Sequence, residues 1–104
     1  ELWSKYQYDE GEEDRVVLYV ALNSKDENGN TWEASLTLDT TGTGWQSAMA
    51  NTVSYTVAEA VSALMENRLA PGVQAAPHDI AEARRWLKGL NQKGIEFKAV
   101  NIEL

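Results

Sequence analysis

Residues 15–39 read RVVLYVALNSKDENGNTWEASLTLD, and this stretch decides the fold. Its first part, Arg15 to Leu22, is a continuous run of branched and aromatic side chains, the composition of a strand covered on both faces. Asn28-Gly29 follows in a polar stretch and accepts positive φ at both centres of a tight turn. From Thr31 to Asp39 the pattern alternates: Trp32, Ala34, Leu36 and Leu38 fall on one face, Glu33, Ser35, Thr37 and Asp39 on the other. Two strands around an Asn-Gly turn make an antiparallel hairpin.

Beyond the hairpin, Thr40-Thr41-Gly42-Thr43-Gly44 breaks the second strand. Trp45, Met49, Val53, Val57, Val61 and Leu64 then recur at steps of three and four, which predicts a helix over about 45–69 whose apolar stripe is its core side. Pro71-Gly72 closes that segment. A second helix is predicted over about 80–93. Asp79 caps it, Glu82 returns the bond as in a capping box, and Ile80, Ala83, Leu87 and Leu90 form the buried stripe. Gly94 supplies the left-handed position after its end. Residues 95–103 alternate as a last strand, with a phase slip at Ala99-Val100 that reads as a bulge or a change of face. Residues 1–8, ELWSKYQY, read as a strand or a docking arm. The order gives an α+β fold: an antiparallel sheet, hairpin 15–39 plus strand 95–103, covered on one face by two helices.

The 104 residues carry 9 basic and 16 acidic side chains, a formal balance of −7, and 43% apolar residues. That is one modest core, so a single domain over 1–104 is expected. The start at Glu1 reads as the middle of something longer, a fragment of a larger protein. No run approaches the ~18 apolar residues of a membrane span. An acidic chain is a poor nucleic-acid surface, because phosphate recognition needs local Lys and Arg. With zero Cys there is no thiolate nucleophile and no zinc–thiolate site. The expectation is a soluble cytoplasmic protein without nucleic-acid or membrane partners.

Few residues carry chemistry. Gly42-Thr43-Gly44-Trp45-Gln46-Ser47 is a partial dinucleotide fingerprint, but Ser47 stands where the third glycine belongs, and Trp45 fills the phosphate space. The same helix start is a candidate anion site, with unpaired amides, the Thr43 and Ser47 hydroxyls, and Trp45 as a wall. The bland alternative is a cap at Thr43 or Gly44 over a core Trp45. His78, the one histidine, reads as an exposed residue before the Asp79 cap. Asp26 and Asn28 resemble a calcium loop, but Gly29 is out of register for one. Arg84 and Arg85 flank the second helix's stripe and point to solvent. Catalytic, cofactor-binding and metal residues are therefore none.

Ser47-Ala48-Met49-Ala50-Asn51-Thr52-Val53, followed by Gly72-Val73, Pro77 and a closing helix ending at Gly94-Ile95, resembles the C-terminal domain of the saccharopine dehydrogenase (saccharopine reductase) family. The resemblance covers about residues 15–100 and is strongest over 43–73. Ser54-Tyr55-Thr56 stands where the family usually has Gly then Pro, a departure that bears on the substrate. The resemblance implies an upstream Rossmann domain in the same parent chain that holds NAD or NADP, with no cofactor in this segment. It implies hydride transfer between an amino acid and an oxo compound through an imine, as in lysine metabolism. This domain would shape the cleft for a small amino-acid-like substrate and contribute a homodimer contact. Thr43, Gly44, Trp45 and Ser47 would face that cleft, and the fragment alone would be inactive. The alternative reading is a non-enzymatic protein-interaction domain of the same α+β layout.

Overall fold

A computed structural model describes residues 2–103. The elements run α1 (Leu2–Lys5), β1 (Arg15–Lys25), β2 (Thr31–Thr41), α2 (Ala48–Met65), α3 (Ile80–Gln92) and β3 (Phe97–Val100). The three strands form one antiparallel sheet in the order β1-β2-β3. The fold is α+β. Residues 2–5 form a single helical turn, so the strand reading of ELWSKYQY does not hold.

The hairpin register pairs Leu18 with Leu38 and Leu22 with Ala34. Its loop differs from a two-residue Asn-Gly turn. Asp26 closes it onto Asn30, and only Gly29 has positive φ, 86°, as in a three-residue loop ending in a left-handed residue. The Asp26 carboxylate accepts from the backbone amides of Asn28 and Asn30 at 2.9 and 2.8 Å and from the Asn30 side chain at 2.8 Å. Those bonds occupy the oxygens that a calcium loop would use.

The core lies at one end of the sheet. Leu38, Leu90 and Ile95 are buried together, with Val16, Tyr55 and Phe97 packed against them. The helices reach only this end. Val17 and Tyr19 lie on the face opposite the core, which nothing covers, and Leu22 lies on the core face beyond the helices' reach, so β1 is not the doubly covered strand its composition predicts. The radius of gyration, 17.3 Å, exceeds the about 13 Å of a compact domain this size, because the far half of the hairpin projects alone.

α2 is shorter than predicted and turned the other way. Ala48, Glu59 and Ala63 are its buried residues, and Tyr55 touches the core. The apolar stripe Met49, Val53, Val57, Val61 and Leu64 faces outward. Small inward residues allow α3 to approach, and Lys93 donates to Glu59 across the two helices. The helix stops before Pro71 because Asn67, at φ 54°, takes the left-handed position. The Asn67 and Arg68 amides then donate back to Leu64 and Ala63, a Schellman closure.

α3 follows its predicted caps more closely. Asp79 accepts from the Glu82 amide at 2.9 Å, and Gly94 has φ 86° while Ile95 donates back to Leu90. Glu82 does not close a capping box. It is buried and accepts from Arg68 and from the Trp86 indole. Ile80, expected inside, is exposed. β3 is shorter than 95–103, and its pairing runs without a bulge through Ala99 and Val100. The break falls at Asn101, whose φ is 56° and whose side chain donates to the Glu33 carbonyl at 2.8 Å. Leu104 lies outside the described residues.

Candidate functional site

The Thr43–Ser47 segment is a two-residue turn followed by a cap. Thr43 and Gln46 exchange both backbone hydrogen bonds, each 2.9 Å, around Gly44 and Trp45. Gly44 has φ 54°, the positive value a type II′ turn demands at its first centre. This turn lifts Trp45 clear of the surface, where it is 90% exposed. Trp45 is not a core residue, and neither Thr43 nor Gly44 is the cap. Ser47 is, accepting from the Ala50 amide at 3.0 Å.

The first amides of α2 are already satisfied. Asp14 accepts from Ala48 at 2.6 Å and from Met49 at 2.9 Å, while its own carbonyl takes the Gly42 amide at 2.8 Å. Its carboxylate complements the positive end of the helix dipole. The expectation of unpaired amides awaiting an external anion is thus overturned: the chain supplies its own. The same bonds settle the fingerprint. A pyrophosphate would need the amides of Gly42 and of the helix start, and these are spent on Asp14 and Ser47. The segment does not fit a dinucleotide.

Gly42 is buried, and a Cβ there would overlap the Asp14 carboxylate and stand 2.9 Å from the Ala48 nitrogen. Asp14 was hidden among five carboxylates in Asp9–Asp14, but register could have found it. Arg15 pairs with Thr41, so the residue before β1 lies opposite Gly42.

Around this turn lies an open cleft of about 400 Å³, lined among others by Tyr8, Glu12, Glu13, Asp14, Trp45 and Ser47. Of the four residues expected at a substrate cleft, Gly44, Trp45 and Ser47 line it and Thr43 does not. The lining contains three carboxylates and no Lys or Arg. Such a wall favours a cationic group over a carboxylate, and Trp45 and Tyr8 are the aromatic residues that line it.

The other predicted positions lie apart. His78 is exposed beside the Asp79 cap, next to the Arg68–Glu82 pair. Arg84 is exposed, and Arg85 approaches Glu82 at 3.4 Å. Burial pushes the Glu82 carboxyl up, but the bonds from Arg68 and Trp86 outweigh it and hold the group below its ordinary range. Among the described residues no cluster of His, Asp and Glu is arranged to hold a metal ion, and no helix is long and apolar enough to cross a membrane.

Compared with known families, residues 1–95 match the saccharopine dehydrogenase C-terminal domain. No curated protein and no solved structure matches the chain.

Proposed function

The chain belongs to the saccharopine dehydrogenase C-terminal domain family, and from that premise we propose that it is the substrate-binding and dimerisation domain of an NAD(P)-dependent oxidoreductase acting on an amino acid or its imine. The match over residues 1–95 is the observation that carries this reading. In the parent protein an upstream Rossmann domain holds the nicotinamide, which supplies hydride chemistry when bound. The present residues shape the substrate side.

Gly44, Trp45 and Ser47 contact the substrate. Trp45 stands free enough to close over an aliphatic chain. The Ser47 oxygen accepts from Ala50, which leaves its O–H to donate to a ligand. Glu12, Glu13 and Asp14 make the cleft acidic, so it receives the amine end of the amino acid rather than a carboxylate. No catalysis is assigned to this segment alone.

The test is turnover by the full-length protein that carries this segment. Nicotinamide reduction with an amino acid, or oxidation with an oxo acid and an amine, is the expected result. The isolated chain should leave NADPH fluorescence unchanged. Turnover of nicotinamide with neither substrate class, or saturable quenching by the isolated chain, would contradict the reading.

A further inference from the structure

The charges of this chain are unevenly placed. Residues 68–93 hold five of its nine basic side chains and two of its sixteen acidic ones, a local balance of +3. The rest of the chain stands at −10. The fold gathers four of those five cations, Arg68, Arg85, Lys88 and Lys93, around an open groove of about 400 Å³ between α2 and α3. This groove shares no lining residue with the acidic cleft at the Thr43–Ser47 turn.

Two of the four cations are spent within the fold. Lys93 is bonded to Glu59, and Arg68 to Glu66 and Glu82. The Glu59 carboxylate lies where a Cβ of Gly89 would stand, so this glycine admits it to the floor of the groove. The other two cations remain on the rim. Lys88 is exposed and pairs with no described carboxylate. Arg85 approaches Glu82 through Nε at 3.4 Å, longer than a hydrogen bond, and its side chain is 59% exposed. The two stand three residues apart on one face of α3. Gln92, one turn on from Lys88, and Ser62 of α2 add an amide and a hydroxyl.

We propose that the α2–α3 groove binds a small, multiply charged anion of the phosphate type, held by Arg85 and Lys88. This goes beyond the substrate reading above and does not rest on it. A guanidinium offers forked N–H donors and an ammonium a compact charge, and both suit phosphoryl oxygens. The groove also has the volume of a small-ligand site. The distribution of charge selects the size of the ligand. In physiological salt a field fades over about 8 Å, so an ion between Arg85 and Lys88 feels mainly the basic segment. A nucleic acid, an anionic membrane or an acidic protein surface would extend past it, onto the part of the chain that stands at −10, and be repelled.

Inorganic phosphate, titrated into the isotope-labelled chain at constant ionic strength, should give saturable shifts at Arg85, Lys88 and Gln92 in the millimolar range. Lys88→Gln has no partner to lose, so circular dichroism should stay unchanged while phosphate binding weakens about tenfold. Arg85→Gln should weaken it similarly. Arg84→Gln removes the same charge from an exposed position outside the groove and should weaken it less than about twofold. Glycerol phosphate distinguishes the sources: tighter binding than phosphate points to a phosphate ester, weaker binding to the free ion. Shifts that grow linearly without saturating would overturn the proposal. So would equal losses in all three variants, which would reduce the effect to net charge. A poly-glutamate peptide that moves the same resonances at lower concentration than phosphate would overturn the small-anion assignment.

Discussion

The carboxylate of Asp14 sits 2.6 Å from the amide of Ala48, joining residues 34 positions apart into one helix cap. The loop before β1 thereby fixes where α2 begins and where the Thr43–Ser47 turn stands.

Replacing Asp14 by Ala removes two capping bonds and a favourable dipole contact, and should destabilise the chain by about 1–2 kcal/mol. Thermal unfolding would then move down by about 4–8 °C per kcal/mol for a domain this size. The same variant frees the Ala48 and Met49 amides. Sulfate at low salt should shift their resonances in Asp14→Ala and leave them unmoved in the native chain. Equal shifts in both would mean that Asp14 does not hold them.

Gly42→Ala tests the same junction from the other side. With no room for a methyl group, it should cost on the order of 1–3 kcal/mol. Much of that cost is displacement of Asp14, so Gly42→Ala and Asp14→Ala together should cost clearly less than their sum. Strict additivity in denaturant unfolding would show that the two residues do not share one structure.

Acid should weaken the fold in a defined direction. The Asn30 side chain and amide bonds hold the Asp26 carboxyl below its ordinary range, and the Arg15 guanidinium does the same to Asp39. Glu82 is held low despite its burial. A carboxyl depressed in the folded state contributes stability above its ordinary pKa, about 4, and loses it as pH falls through the folded value. The urea midpoint should be level from neutrality to about pH 5 and fall below about pH 4. Glu82→Gln should flatten part of that acid limb. Stability that rises between pH 5 and pH 3 would refute the assignment.

The hairpin was legible because alternation in Thr31–Asp39 and the polar Asn-Gly stretch agree on one topology. Asp79 and Gly94 were legible because caps are local chemistry. The facing of α2 was not. Periodicity shows that Met49, Val53, Val57 and Val61 share a side, but not what covers that side, and here the core end of the sheet takes Tyr55 and the small residues instead. The break between β2 and α2 was legible through Gly42 and Gly44, while the charge around the turn was not. That depends on Asp14, whose role follows from strand register rather than from its neighbours in sequence.

The most direct test of the proposed function is the steady-state kinetics of the full-length parent protein carrying Trp45→Ala. Trp45 is 90% exposed, so the substitution should leave unfolding within about 0.5 kcal/mol of the parent. If the Thr43–Ser47 turn faces the substrate, KM for the amino acid should rise roughly tenfold, about 1.4 kcal/mol of binding, while KM for the nicotinamide stays fixed. An unchanged amino-acid KM, or a rise confined to the nicotinamide, would contradict the assignment.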